Sequence, residues 1–353
     1  MITVREAHPE DGPDLIALFL TNPLRAGTSF VLDRGPDFFA LLGLRGCHRT
    51  FVATAGGRIV GTASAVWHEA LDGAATVRVG EIADLRVAEE ARGGRAAVLL
   101  LGVVRDALVA GGAEWAVCLI GDRNAPAVRL VSGGAGLPAL EPLERWASVH
   151  YVAHRLAVPG RRSGVREAGP DDSGILESLR AATPAARLAP PGFSEWPDPT
   201  GAHRGWIAED RGGRPVAGLV TWDGNAVRRI RIAGYRLADL PLRAGVAVAA
   251  RCGLACPLPG GGGVLTMWAS RWLGARREAV AAVPDLVRAA LALAARSRIN
   301  VVQINVGERD PVLRALPRLP RSTYWSTLYG RRLTGGPLER TAADRFHADL
   351  ARV

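Results

Sequence analysis

The chain reads as an α/β protein with a mixed sheet, built as two tandem copies of one domain. Three observations predict this. Val4-Arg5-Glu6-Ala7-His8-Pro9-Glu10-Asp11 returns, nearly half a chain later, as Val165-Arg166-Glu167-Ala168-Gly169-Pro170-Asp171-Asp172. The stretch from Phe51 to Gly61 is echoed from Trp206 to Gly218, each around a Gly-Gly pair. Ser148 to Leu156 is echoed by Thr323 to Leu333. Echoes in the same order at domain-length spacing mark a duplicated domain rather than a solenoid of short units. The expected units are residues 1–158 and 165–353, joined by the Gly- and Arg-rich linker from Val158 to Gly164.

The elements follow in order. Ile2 to Glu6 is a strand. Asp11 caps a helix with Pro13 in its first turn and Leu15, Leu18 and Phe19 on one face. Asp33 to Leu42 reads as a second helix. Thr50 to Ala55 and Arg58 to Trp67 form a hairpin around Gly56-Gly57. Thr76 to Val87 is a longer strand. Ala96 to Ala110 is a helix apolar on most sides and therefore buried. Trp115 to Ile120 is a strand, Ala125 to Ser132 a short helix and Ala147 to Leu156 a closing strand. The second copy repeats this plan with an added segment near 226–263, either a lid or an inter-domain arm.

Composition narrows the classes of function. The net charge is +10, and all 44 basic residues are arginine. They are spread along the chain, whereas a nucleic-acid surface needs them clustered on one face. No apolar run is long enough to cross a bilayer and no cleavable signal opens the sequence, so a cytoplasmic protein without a membrane partner is expected. Cys47, Cys118, Cys252 and Cys256 form neither a metal nor a disulfide pattern and read as reduced structural thiols. The dispersed histidines, among them His150 and His154 on one strand, read as polar-face residues.

The chemistry concentrates between Glu81 and Leu100, where a strand passes through an Arg/Gly turn directly into the buried helix. The first turn of that helix offers free N–H groups and partial positive charge, small residues admit a phosphate, and arginine adds cationic grip. Glu81 is the candidate general base for deprotonating a nucleophile. By simple alternation it shares a face with Ala83, Leu85 and Val87, and Asp84 points the other way unless a bulge shifts the parity. The competing reading of Glu81 is a strand carboxylate paired with Arg78 or Arg86.

On these residues the chain resembles the GNAT acyltransferase superfamily. Val87, Arg92 and Ala97 fall on the family's main motif, with Arg95 standing where its middle glycine is expected. Asn124, Ala127 and Leu130 match a second feature. The resemblance covers both halves and implies a tandem GNAT whose co-substrate is acetyl-CoA or another acyl-CoA. It implies that pantetheine pairs with the backbone around Leu85, Arg86 and Val87 in the splay between two strands. The pyrophosphate would rest on Arg92, Gly93, Gly94, Arg95, Ala96 and Ala97, with Asn124 nearby. It places Val131 where many members carry a Tyr that protonates the leaving thiolate; Tyr151 is either a substitute or a buried aromatic.

The second copy is expected to be degenerate, because Val264 to Ser270 holds no carboxylate and the turn after it lacks the compact Gly pattern. Phe38 and Phe39 read as core, and Trp67 and Trp222, at matching strand ends, as a shared structural feature. The implied activity is N-acyl transfer to an amine of a small molecule or peptide, by a monomer or homodimer without a metal. Two alternatives stay open: an aminoacyl-tRNA-dependent ligase on the same tandem fold, and a non-catalytic binding module.

Overall fold

A computed structural model describes residues 1–25, 28–160, 164–182, 187–190, 201–334 and 345–348. The first half runs β1 (Ile2–Glu6), α1 (Gly12–Leu20), β2 (Leu24–Arg25), β3 (Ser29–Asp33), α2 (Ala40–Arg45), β4 (Cys47–Ala55) and β5 (Arg58–Asp72). It continues through β6 (Ala75–Val87), α3 (Ala96–Ala110), β7 (Trp115–Gly121), α4 (Ala125–Val131) and β8 (Glu141–Val152). The second half runs β9 (Gly164–Glu167), α5 (Ser173–Ala182), β10 (His203–Glu209), β11 (Pro215–Asp223), β12 (Arg229–Gly234) and α6 (Leu240–Arg251). It ends with β13 (Val264–Leu265), β14 (Met267–Ala275), α7 (Val283–Arg296), β15 (Val301–Gly307), α8 (Pro311–Ala315) and β16 (Arg321–Arg332).

One 12-stranded sheet carries both halves, in the order β1-β4-β5-β6-β7-β16-β8-β15-β14-β11-β10-β9. Read inward from either edge, the two copies have the same plan, but each completes its sheet with the other's last strand. β16 pairs with β7 of the first half, and β8 pairs with β15 of the second. The halves are thus joined by exchanged strands at the centre of a continuous ladder. The echo between Ser148–Leu156 and Thr323–Leu333 marks the exchanged pair, which lie antiparallel to each other.

The opening echo has a local cause. Arg5 grips both oxygens of Asp11 at 2.7 Å, and the same carboxylate accepts the His8 N–H at 2.8 Å. Arg166 grips Asp172 at 2.7 and 2.8 Å, and Asp172 accepts the Gly169 N–H at 2.7 Å. Each aspartate closes the turn from the first strand into its helix. The hydrogen bond from Arg5 holds the Asp11 carboxyl down at about 2.

The two cores sit under the long apolar helices. α3 buries Leu100, Val104 and Leu108 against Ala63, Ala65 and Cys118. α7 buries Leu286, Val287, Ala290 and Leu291 against Leu219, Val302 and Ile304. Gly80 is required under α3, because a Cβ there would stand 2.6 Å from Leu108. Burial has no patterned rival here: truncating a fully buried Leu of this kind costs about 2–5 kcal/mol.

Two elements differ from the sequence reading. A helix over Asp33–Leu42 is replaced by a strand to Asp33, a turn and the short α2 from Ala40. The Asp33 carboxylate accepts the Gly35 N–H at 3.0 Å and Asp37 accepts the Phe39 N–H at 2.8 Å, so side chains hold this backbone in turns and delay the helix. The closing strand lies at Glu141–Val152, earlier than Ala147–Leu156, because it must span both β15 and β16.

The added segment is an arm between the halves. Its strand β12 pairs with β3 of the first half in a second, 4-stranded sheet. Asp33, buried at the joint, accepts Arg231 Nε at 2.8 Å and lies 3.3 Å from Arg229. Burial opposes ionisation of Asp33, but the Gly35 N–H and both guanidiniums outweigh it and hold its carboxyl below the ordinary range. Phe38 is wholly buried with an edge-on contact to Phe19, and Trp67 and Trp222 are both buried.

Candidate functional site

The site begins where two parallel strands part. β6 and β7 pair only at Val79–Trp115, Gly80–Ala116 and Glu81–Val117. Beyond Glu81, β6 keeps its ladder with β5 as far as Val87, while its other edge has no strand partner. The unpaired backbone from Ile82 to Val87 therefore faces an open splay, and it needs hydrogen-bond partners from water or a ligand.

A bulge re-aims the side chains along this edge. Thr62 pairs with Arg86 and Ser64 with Ala83, so β6 carries one residue more than β5, and Asp84 adopts φ 54°. Simple alternation, which groups Glu81 with Leu85 and Val87, fails at this point. Leu85 and Val87 pack toward α3, whereas Ala83 packs on the opposite face with Phe19 and Phe38. Arg86 lies over the Phe19 ring at 5.1 Å, and Asp84 accepts Arg34 at 3.0 and 3.2 Å. Asp84 and Arg86 thus share the α1/α2 face with Ala83.

Buried charges cluster on that face. Glu81 forms an ion pair with Arg45 at the end of α2, a partner that neither Arg78 nor Arg86 supplies. Arg34 is 1% exposed and stacks 5.0 Å from the Phe38 ring while also donating to Phe38 O at 3.2 Å. Taking such pairs out of water costs several kcal/mol per ion, so their retention is weak support for stability and points to a use.

The loop into α3 has the shape expected of an anion cradle. Gly93 sits at φ 77°, Gly94 and Arg95 are exposed, and α3 starts without a side-chain cap. Its first-turn N–H groups, around Arg95, Ala96 and Ala97, therefore remain available. Arg92 is a clamp: its guanidinium donates to Asn22 Oδ1 at 2.6 Å and to Val87 O at 3.3 Å. Asn124 uses its carbonyl oxygen to cap α4 on the Ala127 N–H at 3.3 Å.

Tyr324 was not singled out from the sequence, since it lies far along the chain in the other copy. The exchanged strand β16 brings it to the end of β7. A Cβ on Gly121 would stand only 1.6 Å from its hydroxyl, so that glycine makes room for it. Burial, reinforced by the Asp122 charge and opposed by Arg86 and Arg123, pushes its phenol up. It stays protonated at neutral pH and can donate. Tyr151, by contrast, is wholly buried in the second core and donates to Pro317 O at 3.0 Å, away from the splay.

The second copy repeats the geometry and then closes it. β14 and β15 pair at three positions and part after Ala269–Gln303, and a bulge falls at Arg271, between Ser270 and Trp272. There Asn305 fills the gap. Its N–H donates to Ser270 Oγ at 2.8 Å and its amide to Ser270 O at 3.0 Å, while Gln303 and Ser148 bond its carbonyl oxygen at 2.6 and 3.0 Å. A satisfied network occupies the edge that the first copy leaves open.

His150 borders this network. Burial, aided by the Arg228 charge and partly opposed by a hydrogen bond with Gln303, pushes its imidazole down to about 4. The unfolded chain takes up a proton near 6.5 that the folded chain refuses until about 4. The contribution is therefore full above pH 6.5 and is lost as pH falls through that window, by at most about 3 kcal/mol. Denaturant midpoints of wild type and His150→Gln between pH 7 and pH 4.5 should converge toward low pH; parallel curves would contradict this.

Comparison with known proteins places the geometry. Residues 23–132 match the Acetyltransferase (GNAT) family. No curated protein matches the chain by sequence. Among solved structures, N-myristoyltransferase from Saccharomyces cerevisiae with bound myristoyl-CoA is similar at 12% identity and TM-score 0.58, over 93% of this chain and 82% of that one. A GCN5-related N-acetyltransferase from Anabaena variabilis is similar at 12% identity and TM-score 0.50, over 95% of this chain and 73% of that one. No described helix is long and apolar enough to cross a membrane.

Proposed function

We propose that this chain is a GNAT-type acyltransferase, with residues 23–132 matching the Acetyltransferase (GNAT) family inside a tandem fold, and that its first half transfers an acyl group from coenzyme A to an amine. The observation that carries the reading is the asymmetry of the two splays, open above an uncapped helix in the first copy and plugged by Asn305 in the second. On this reading residues 1–158 bind and react, and residues 165–353 supply scaffold, the arm and Tyr324. We place the protein in the cytoplasm and leave the acceptor as a small molecule or a peptide.

The free edge at Leu85, Arg86 and Val87 would pair with the pantetheine amides, and the N–H groups of Gly93 to Ala97 would take the pyrophosphate, with exposed Arg95 adding charge. Asn124 would act by fixing α4 beside the splay. Acyl-CoA supplies the activated carbonyl. Glu81 accepts the proton that the attacking amine loses as the C–N bond forms, directly or through one water. Tyr324 gives its proton to sulfur as the C–S bond breaks. The backbone donors of β6 hold the oxyanion between those steps.

Calorimetric titration with acetyl-CoA and with myristoyl-CoA tests this. One saturable site per chain is expected, with affinity reduced at least about 100-fold in Gly94→Glu, where a carboxylate enters the anion cradle. Absence of any site for either ligand would sink the reading and bring forward the aminoacyl-tRNA-dependent alternative.

A further inference from the structure

One cation on the α1/α2 face of β6 has no hydrogen-bond acceptor among the described residues. Arg34 is answered by Asp84, Arg45 by Glu81, and Arg92 by Asn22 and Val87 O. Arg86, two residues past the bulge, makes no hydrogen bond or ion pair among the described residues. Its Nε is shut off from solvent without an acceptor, and its guanidinium lies over the Phe19 ring, 5.1 Å away. Burial pushes its pKa down, with the charge of Asp84 opposing, but a guanidinium remains cationic at neutral pH. A buried donor left unmade costs about 1–3 kcal/mol, more when charged. The cost falls on the strand that borders the open splay.

The charge balance of the cluster defines the missing group. Arg34 and Arg45 are matched by Asp84 and Glu81, and Arg92 is bonded to neutral oxygens, which leaves Arg86 as the cation whose fork has no acceptor. A planar fork of donors fits a carboxylate. The same cluster offers acidic groups to an ammonium, so it suits a ligand carrying both charges.

We propose that Arg86 binds a carboxylate of the acceptor, so that the acceptor is an amino compound bearing a carboxylate, such as a free amino acid. The identification of this ligand as acceptor rests on the acyl-transfer reading; the carboxylate site itself does not. Loss of a charged hydrogen-bonded pair is read as about 10- to 100-fold in affinity.

The test uses the full chain without acyl-CoA, and titrates it calorimetrically with the free amino acids and with their carboxamides. At least one amino acid is expected to bind about 10- to 100-fold more tightly than its amide. Arg86→Met should abolish that preference. If Arg86→Met fails to melt cooperatively, Arg86→Lys, which keeps the charge and loses the fork, should still reduce the preference. Equal or absent binding of acids and amides overturns the proposal, as does a preference that survives both substitutions. Competition by acetate or inorganic phosphate as effective as the amino acids marks a bare anion hole and overturns it too. An acid preference lost in Arg86→Met, in a protein that binds no acyl-CoA, would leave this site standing and remove the acyl-transfer reading instead.

Discussion

A chain ending before Arg321 is expected to lose the fold of both halves, not only of the second. β16 lies between β7 and β8, pairing with Trp115–Gly121 on one side and with Glu141–Tyr151 on the other. Its removal strips Leu328 from a shared core and exposes two ladder edges at the centre of the sheet. Each orphaned buried backbone group costs about 1–3 kcal/mol, so a handful exceed the roughly 5–15 kcal/mol that stabilise a typical domain. Residues 1–158 alone should therefore show no cooperative melt by circular dichroism, and co-expression with residues 164–353 should restore one. A cooperative melt of the fragment alone, with acyl-CoA bound, would mean that β8 can take the place of β16 on β7, and the expectation would be wrong.

On the proposed mechanism, Glu81→Gln is expected to lower kcat by about 10²- to 10⁴-fold, the usual worth of a general base. Acyl-CoA affinity should not change, since the cradle lies at Arg92–Ala97. The substitution has a structural side effect, because Arg45 is 5% exposed and loses its carboxylate. Breaking a buried pair from one side costs about 3–5 kcal/mol. The double variant Glu81→Gln with Arg45→Met removes both charges and separates the two effects. It should melt nearer to wild type and still lack turnover. Recovery of activity in the double variant would make Glu81 a structural carboxylate after all.

Much of the fold was legible because its signals are local. The Arg5/Asp11 and Arg166/Asp172 turns recur within eight-residue phrases, and the Gly56-Gly57 hairpin and the apolar face of α3 need no distant partner. The candidate cradle at Arg92–Ala97 was legible for the same reason, since a strand, a Gly turn and a helix start are contiguous. The Asp33–Leu42 segment misled because Asp33, Asp37 and Pro36 fit both a helix start and a turn. The carboxylate bonds to Gly35 and Phe39 chose the turn.

The sequence by itself determined that the protein is a duplicated α/β fold, which copy carries the Arg/Gly turn into an uncapped helix, and which carboxylate stands on the strand beside it. Tertiary structure alone decided how the copies exchange strands, which face Asp84 and Arg86 take after the bulge, that Arg45 holds Glu81, and that Tyr324 reaches the splay. It also decided that Asn305 plugs the second splay while Arg86 is left without a hydrogen-bond acceptor in the first. Periodicity and motif spacing constrain neighbours along the chain. Strand register, a single inserted residue and charge pairing between remote segments are settled only when the whole sheet forms, because each is selected by contacts that local sequence does not encode.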